Sequence, residues 1–546
     1  MLFSPRSIAT IVACNAFGLA LLSPATAQIV TETVQPDRLD EAPLPSTGRE
    51  APTAPIASTR IEAAPQTAQD TITTISVVGS SLPEATFAEA IAPFIGAPLD
   101  AGELRKLADA VSAVYADTDI ALYTILVPQQ DFSGGEVKLA AIENHIDEVI
   151  LSDTEGRSEL TRSYAAAMAA ARPLTRSALE RYLILMNAIP GARTTPRVLT
   201  GDRVNTVKVA LDTKKEPIES ELAITTRGAA RLGRTQLKGS LYLNGWSHEG
   251  AQTRLTVASS SDFERYLSAS AGHSHTFGPS GTTLSGTIGY VRTRPEGFAA
   301  DGDAVIAGVQ TTIPVVRTMR RQVTLGFGMD GVDSENALFG QVVSNDSTRV
   351  VRASVQASNK VGKTTLAGGA SFSQGLDALG ADITNRTFAS ARFTKVSANA
   401  VATRPVGDDW RVTMSAKAQY SRNRLPGSEL VSFGGDRFGR AFETGAVSGD
   451  SGIAAAVEIG RTLRGETRFV KGSELYAFAD RGQTWFTDRP GIALPDRGFA
   501  SAGAGLRIRL SEKSHLNIEA ARPIDIPGDE PRQDDWRLAF SVRSSF

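Results

Sequence analysis

The sequence predicts an all-β transmembrane barrel of about sixteen antiparallel strands, preceded by two small α+β domains. Three observations support this fold class: an N-terminal export signal, apolar and polar residues that alternate with a period of two after Ile218, and a last strand that ends on an aromatic residue. A soluble β-sandwich can show the same alternation, so the period alone leaves the environment of the sheet open.

Length and charge narrow the class of protein further. The chain has 546 residues, and after residue 30 no apolar run approaches the roughly 20 residues that a membrane-spanning helix needs. Helical membrane bundles are therefore excluded. The 57 Lys and Arg residues nearly balance the 59 Asp and Glu residues, unlike the strongly basic composition of nucleic-acid-binding domains. We expect no nucleic-acid partner.

Residues 1–27 have the pattern of a signal peptide. Arg6 precedes a long apolar run, and a conventional small-residue cleavage site ends at Ala27, before Gln28. The single cysteine, Cys14, lies within the apolar run, where it loosely resembles a lipoprotein acceptor, but the conventional site favours ordinary cleavage. We expect an exported mature protein without cysteine, which excludes disulfides, thiol catalysis and thiolate metal sites.

Two kinds of segment precede the barrel. Residues 28–70 are rich in Ala, Pro and Thr and contain no aromatic residue, so they bury too little apolar surface to offset their ordering entropy. We expect a flexible linker without a fixed fold there. After it, short strands alternate with amphipathic helices, which predicts one small α+β unit over residues 71–146 and a second over residues 147–214.

Residues 215–546 carry the barrel pattern. Leu284 and Ile288 lie on the opposite face of one strand from Ser285 and Thr287, and other segments of about ten residues alternate in the same way. Unpaired backbone groups are costly in hydrocarbon, so the sheet must close, and about sixteen strands leave an aqueous lumen. The predicted strands begin near residues 219, 234, 251, 264, 281, 301, 319, 346, 362, 385, 410, 452, 472, 498, 514 and 536.

The last predicted strand decides between barrel and sandwich. One of its faces carries Trp536, Leu538, Phe540, Val542 and Phe546. Outer-membrane barrels have aromatic residues near the strand ends of their apolar face, and this chain stops on such a residue, Phe546. The C-terminal strand therefore favours a membrane barrel.

Two short patterns interrupt the regular alternation. The longest break spans residues 423–450 and contains Gly434, Gly435, Gly439, Arg440, Ala441, Phe442 and Asp450. A long glycine-rich connection of this kind is either a surface loop or a loop folded into the lumen. The thirteenth predicted strand carries Phe478, Asp480 and Gly482, which are two residues apart and share a face, expected to be that of the lumen.

Four stretches together resemble one family. They are Pro128-Gln129-Gln130-Asp131 in the first α+β unit, Pro190-Gly191 in the second, the glycine-rich loop, and the Phe-x-Asp-x-Gly pattern that starts at Phe478. The chain resembles the two-partner secretion transporters (TpsB, the ShlB/FhaC/HecB type), which are outer-membrane barrels with polypeptide-transport-associated (POTRA) domains. The resemblance spans most of the chain after the linker.

The resemblance implies domains and a gate. Residues 71–146 and 147–214 would be POTRA domains 1 and 2, and the loop would fold back into the lumen, where Arg440 would pair with Asp480. From composition alone, an ordinary solvated loop arginine is the favoured interpretation of Arg440. In the family's Val-Arg-Gly-Phe motif, this chain has Gly439 for Val and Ala441 for Gly, so Ala441 must avoid a positive φ.

The resemblance also implies the function and the location. The POTRA domains, in the periplasm of a Gram-negative bacterium, would capture an unfolded TpsA-like partner, by adding it as a strand to an exposed sheet edge. The barrel would secrete this partner across the outer membrane (type V secretion). Outer-membrane lipid and the barrel-assembly machinery, which would read Phe546, are the other expected partners, and we expect a monomer.

Three alternatives remain open at this level. The POTRA units could be spacers only. The barrel could be an insertase that assembles other barrels, which would accelerate their folding. It could also be a passive porin, whose open conductance would be insensitive to Arg440→Ala. Many members of the family begin with a helix that plugs the lumen, and the Pro-interrupted stretch after Gln28 is a poor candidate for it.

Signatures of enzymes are weak. His273 and His275 share one strand face, as a metal pair would require, but no third ligand is evident. Gly503 and Gly505 lie in the middle of a predicted strand and do not open a helix, so they do not form a phosphate-binding turn. We therefore expect no catalytic residue, no cofactor and no metal, and transport without ATP hydrolysis.

Overall fold

A computed structural model describes residues 56–62, 71–152, 158–203, 205–297, 299–465, 470, 472–491, 494–526 and 536–546. The expected signal peptide, residues 1–27, lies outside the described residues. The chain divides into two compact units, one built on Gly48–Lys215 and the other on Glu216–Val315 and Arg320–Phe546. Among the described residues, no helix is both long enough and apolar enough to cross a membrane.

The first α+β domain is a four-stranded sheet covered by helices. Its main helix, Ala101–Ala116, begins at Asp100, whose side chain accepts a hydrogen bond from the Glu103 amide. The apolar face of this helix packs on the sheet and forms the core. The sheet has the order β1-β3-β4-β2, with β1 Ile56–Ile61, β2 Thr74–Val78, β3 Leu122–Val127 and β4 Glu136–Glu143; short helical turns cover Glu84–Phe87, Ala88–Ile91 and Ala92–Phe94.

Strand β1 corrects one expectation. It lies inside the 28–70 segment, for which we expected no fixed fold, and that expectation is wrong for Ile56–Ile61. The strand pairs in parallel with β3, and Ile61 packs against the domain core. A segment with little apolar surface of its own can be ordered in this way, because the edge of an existing sheet supplies partners for its backbone groups. The rest of that segment, apart from residue 62, lies outside the described residues.

The second α+β domain is smaller. Its three-stranded sheet has the order β5-β7-β6, with β5 parallel and β6 antiparallel to the central strand. Two helices cover it and contribute about half of its apolar core. The strands are β5 His145–Leu151, β6 Ala192–Thr200 and β7 Thr206–Lys215, and the helices are Glu159–Ala169 and Arg176–Asn187.

Sixteen antiparallel strands form a closed barrel, which confirms the predicted fold class. The last strand closes the barrel by pairing with the first, from Ser541 opposite Thr225 to Ser545 opposite Glu221. The strands are β8 Ile218–Thr225, β9 Gln236–Asn244, β10 Ala251–Ser260, β11 Tyr266–Phe277, β12 Thr282–Thr293, β13 Ala300–Arg317, β14 Arg321–Leu338, β15 Gln341–Val361, β16 Thr364–Gly375, β17 Thr394–Val406, β18 Trp410–Ser421, β21 Ser451–Leu463, β22 Gly472–Trp485, β23 Arg497–Arg509, β24 Ser514–Asp525 and β25 Arg537–Ser545. A helical turn, Ala230–Leu232, follows β8.

Side chains alternate between the two faces of the barrel wall. Ile288, Met414 and Leu538 are more than half exposed on the outer face. Between such positions, polar side chains such as Ser397 and Asp480 are buried on the inner face. An apolar outside and a polar inside suit a barrel that is surrounded by lipid and encloses an aqueous lumen.

We predict that Phe546→Ala lowers the yield of assembled barrel several-fold. The backbone of Phe546 exchanges hydrogen bonds with Ser220 on the first barrel strand, and alanine can keep these bonds. The ring itself is 62% exposed, so its loss removes little internal packing and instead removes an exposed aromatic side chain that the assembly machinery is expected to read. The measurement is the amount of barrel in membranes that migrates differently on a gel before and after boiling. Phe540→Ala, on the exposed face of the same strand, is the matched control, and equal yields would contradict the role of Phe546.

Candidate functional site

The connection between β18 and β21, here called the lumen loop, lies inside the barrel. Its first turn is the short helix Gly427–Glu429, and it continues as a hairpin of two short strands, β19 Val431–Phe433 and β20 Val447–Gly449. Its residues are mostly buried and bind side chains on the inner faces of several barrel strands. Of the two possibilities raised by the sequence, the structure has the loop in the lumen.

Glycines allow the tight path of the loop tip, defined as residues 434–444. Gly434 and Gly435 have φ values of 117° and 110°, and a Cβ on Gly434 would lie 2.0 Å from the carbonyl oxygen of Glu443. Side chains rarely adopt such backbone angles. The third positive φ of the tip, 72°, is at Gly439, and Ala441 is not among the residues with positive φ. The motif departures therefore create no backbone strain at Ala441.

Aromatic rings pack the loop tip against the wall. The Phe499 ring, on β23, contacts Phe433 and Phe442, with ring centroids 5.7 and 6.0 Å apart. Gly482 on β22 makes room for it, because a Cβ there would lie 2.5 Å from Phe499 Cζ. Phe478 is buried beside this cluster. The motif positions Phe442, Phe478 and Gly482 therefore come together around one ring that the sequence analysis did not single out.

Arg440 does not form the expected ion pair with Asp480. Its guanidinium Nη1 lies 3.0 Å from Glu458 Oε2 and 3.3 Å from Glu519 Oε2, and its Cζ lies 4.2 Å above the centre of the Phe478 ring. The expectation of an Arg440–Asp480 side-chain pair is therefore wrong. The side chain is 11% exposed, so these two carboxylates are its main electrostatic partners in the lumen.

Asp480 holds the backbone of the loop tip. Its Oδ1 accepts hydrogen bonds from the Gly439 amide at 2.8 Å and from the Ser501 hydroxyl at 2.7 Å, and its Oδ2 accepts one from the Arg440 amide at 3.4 Å. A carboxylate with amide and hydroxyl donors is already satisfied without a guanidinium. The two motif residues are thus brought together, but through the main chain of the loop.

The sequence analysis missed the groups that surround Arg440. Glu458 on β21 also binds Arg507, with distances of 2.6 and 2.9 Å. Glu519 on β24 also binds Arg227 at 2.6 Å and accepts a hydrogen bond from Tyr476 at 2.7 Å. Glu458, Arg507 and Glu519 lie on the polar faces of strands, which is the signal that could have identified them, whereas Arg227 follows the end of β8. No short motif marks their positions.

Asp450, at the end of the loop, is fully buried and joins several connections. It accepts hydrogen bonds from the Leu425 amide at 2.7 Å and the Thr487 amide at 2.8 Å. Arg489 binds both carboxylate oxygens, at 2.8 and 3.2 Å. Because Leu425 lies near the start of the loop, Asp450 fastens both ends of the loop to the β22–β23 connection.

The POTRA 1 motif residues stabilise a turn. The Gln130 side chain bonds the backbone of Lys138 on β4 in both directions, at 2.8 and 2.9 Å. Asp131 accepts hydrogen bonds from the Ser133 amide and hydroxyl, which lower the pKa of its carboxyl. Pro128 is half-buried and Gln129 is exposed. These contacts give Gln130 and Asp131 a structural role.

The POTRA 2 motif also lies at a turn. Gly191 has a φ of 68°, which suits glycine and lets the chain reverse after Pro190. The side chain of Asn187, at the end of the preceding helix, bonds the amide and carbonyl of Thr194 at 3.0 Å each. This motif connects the helix to β6.

The histidines of β11 have other neighbours. His273 shares a hydrogen bond with Thr253 and lies beside Trp246, and His275 lies between His248 and Phe277. Among the residues that the structure describes, no group of three or more His, Cys, Asp or Glu side chains is placed to hold a metal ion. The pair forms part of an aromatic patch.

Two protein-family models match this chain. The family model for the haemolysin secretion/activation proteins ShlB/FhaC/HecB matches residues 206–508, more than half of the chain. The chain belongs to the ShlB/FhaC/HecB family. The model for the ShlB-type POTRA domain matches residues 71–144 as well. The resemblance drawn from the four motifs is therefore confirmed.

Individual relatives agree with the family. The heme/hemopexin transporter protein HuxB of Haemophilus influenzae is 21% identical over 463 residues, covering 79% of each chain. The outer membrane transporter CdiB of Dickeya dadantii is 24% identical over 365 residues, covering 64% of each chain. The chain is thus an outer-membrane transporter of the two-partner secretion type.

Solved structures support the fold. CdiB from Escherichia coli superimposes with a TM-score of 0.72 at 20% identity, over 100% of both chains. BamA from Haemophilus ducreyi, lacking POTRA domains 1–3, has a TM-score of 0.51 at 14% identity and covers 87% of this chain and 100% of its own. At these identities the likeness concerns the fold alone.

Proposed function

We propose that this chain captures an unfolded TpsA-like partner with its POTRA domains in the periplasm and conducts it outward through the barrel when the tip of the lumen loop is displaced. The observation that carries the proposal is that the lumen loop binds the inner wall from Arg352 on β15 to Glu519 on β24. These contacts span half of the sixteen-stranded wall, so the loop extends across the bore, and a polypeptide passing through needs the loop to move.

The proposed capture site is the edge of the first POTRA sheet formed by β2. In the order β1-β3-β4-β2, the chain's own segment β1 covers β3, and β2 is the edge of the domain itself. Val78, at the end of β2, is 48% exposed. An extended client can add to such an edge by main-chain hydrogen bonds, which give affinity without requiring a particular sequence. This suits a carrier that receives its client unfolded.

Other parts of the proposal follow from the same architecture. The apolar outer face of the barrel would contact outer-membrane lipid, and the barrel-assembly machinery would insert the chain as a monomer. No enzymatic step is proposed. Folding of the client outside the cell would supply the driving force, since the chain offers no phosphate-binding motif.

The test is site-specific photo-crosslinking during export. With a photoreactive amino acid at position 78, we expect a crosslink to the partner while it is being secreted, because this position lies on the capture edge. The same probe at Lys106, on the helix Ala101–Ala116 and away from the β2 edge, is the matched control and should give little product. Crosslinked species are detected with an antibody against the partner.

Two outcomes would contradict the capture site. A partner that is secreted normally but crosslinks only from Arg60, on β1, would move capture to the opposite edge. Faster folding of unrelated barrels by the purified protein in vesicles, without any crosslink to a secreted partner, would favour an insertase instead.

A further inference from the structure

The first turn of the lumen loop, Gly427–Glu429, contains a buried charge. We call this turn the loop foot. The side chain of Glu429 has no exposed surface. Burial of a carboxylate costs several kcal/mol unless ion pairs and hydrogen bonds compensate it. The surroundings of Glu429 should therefore contain such partners.

Two cations bind the Glu429 carboxylate. Arg352 Nη2 lies 2.8 Å from Oε1, and Lys395 Nζ lies 2.8 Å from Oε2. Arg352 is itself held in a fork by Asp330, with distances of 2.5 and 3.0 Å. Two carboxylates and two cations thus form a neutral group whose side chains are at most 5% exposed. Bidentate geometry and low exposure make it a well-satisfied ionic group.

The loop foot connects five consecutive strands. Asp330, Arg352 and Lys395 lie on β14, β15 and β17, and Ser373 on β16 accepts a hydrogen bond from Arg352 at 2.8 Å. On β18, Gln419 donates to the Glu429 carbonyl oxygen at 2.9 Å. Displacing the foot would disturb all five strands together.

The loop tip is held differently. Arg440 uses one nitrogen for two carboxylates, and its buried Nε has no hydrogen-bond partner. Glu458 keeps Arg507 and Glu519 keeps Arg227 when Arg440 leaves. Withdrawal of Arg440 therefore leaves neither of these two carboxylates without a cation. Asp480 loses the Gly439 and Arg440 amides but keeps the Ser501 hydroxyl.

We infer that Glu429 is the fixed anchor of the lumen loop, and that during export the loop foot stays on β14–β18 while the loop tip leaves β21–β24. The path of the client then runs along the β21–β24 side of the lumen. This inference rests on the proposed export function and adds which part of the loop moves. Glu429, Arg352 and Lys395 are positioning residues that act on the loop and need not touch the client.

Reversible tethers test the inference. The single cysteine, Cys14, lies in the expected signal peptide, so paired cysteines can be introduced without background. The foot tether is Thr348→Cys with Ser428→Cys, whose hydroxyl oxygens are 3.5 Å apart. The tip tether is Arg234→Cys with Glu443→Cys, whose charged side-chain groups are 3.9 Å apart. A short bis-thiosulfonate reagent joins each pair, and a reductant releases it.

Each variant is compared with itself before and after crosslinking, by partner secretion and by single-channel conductance. We expect the foot tether to change secretion by less than about two-fold and to leave channel openings. We expect the tip tether to lower secretion roughly ten-fold and to abolish openings, both restored by the reductant.

The outcomes separate the inference from the function it rests on. A foot tether that blocks as completely as the tip tether, or a tip tether that blocks neither readout, would overturn the fixed-anchor inference. If the uncrosslinked proteins form channels but secrete no partner, the proposed export function fails. The conductance comparison then still decides whether the foot or the tip of the loop moves.

Discussion

Arg440→Ala is expected to leave a barrel that assembles normally but secretes its partner poorly, by about ten-fold or more. The variant removes the guanidinium that binds Glu458 and Glu519 and lies over Phe478. Hydrogen bonds to charged groups contribute about 1.5–3 kcal/mol each, so the tip loses the fixed position to which it returns after a client segment has passed. We also expect the resting conductance to rise, because the tip no longer closes the same part of the lumen.

A nearby arginine provides the control. Arg437 lies in the same loop tip but is exposed, so Arg437→Ala should secrete normally. Secreted partner is measured relative to the amount of heat-modifiable barrel, which corrects for assembly. Normal secretion and conductance in Arg440→Ala would refute the role assigned to Arg440. A conductance that is insensitive to this change is also what a passive porin predicts.

Asp450→Ala is expected to have the largest effect on stability. The substitution leaves Arg489, whose side chain is 4% exposed, without its carboxylate, and it removes the acceptor of the Leu425 and Thr487 amides. Removing one partner of a buried ion pair typically costs about 3–5 kcal/mol. We expect a lower urea midpoint for unfolding of the purified barrel in lipid, followed by the loss of heat-modifiable migration.

Two further variants make this prediction specific. Asp450→Asn keeps an acceptor for the amides but loses the charge, so its midpoint should lie between those of the alanine variant and the unmodified protein. Asp436→Ala removes an exposed carboxylate from the same loop and should leave the midpoint unchanged. A midpoint for Asp450→Ala equal to that of Asp436→Ala would show that the buried pair contributes no net stability.

The sequence predicts the barrel well because alternation is a local property. Each strand reveals its two faces within about ten residues, whatever its neighbours are. The least accurate start is that of β17, predicted near residue 385 and observed at Thr394. Residues 376–393 instead form the β16–β17 connection, where Asp382 makes an isolated bridge to Ser347 on the neighbouring β15. Pairing between residues so far apart in the sequence is not visible in the local pattern.

The contacts of the lumen loop are less predictable for the same reason. The motifs identify Arg440 and Asp480 as neighbours, and they are neighbours in space, but the partner of each group depends on which other donors surround it. Glu519 is 79 residues from Arg440, and Glu429 is 77 residues from Arg352. Nothing local to either sequence segment specifies these pairs, because they arise only when the sheet closes.

The five strands joined at Glu429 give the cylinder two mechanically different halves. Around β14–β18, the contacts of the Glu429 group link the strands on their inner face, so this arc should resist bending. Around β21–β24, the loop tip is held by amide hydrogen bonds to Asp480, by aromatic contacts and by Arg440, whose departure leaves Glu458 and Glu519 each with another cation. If the tip leaves this side, the open channel lies off the barrel axis, along β21–β24.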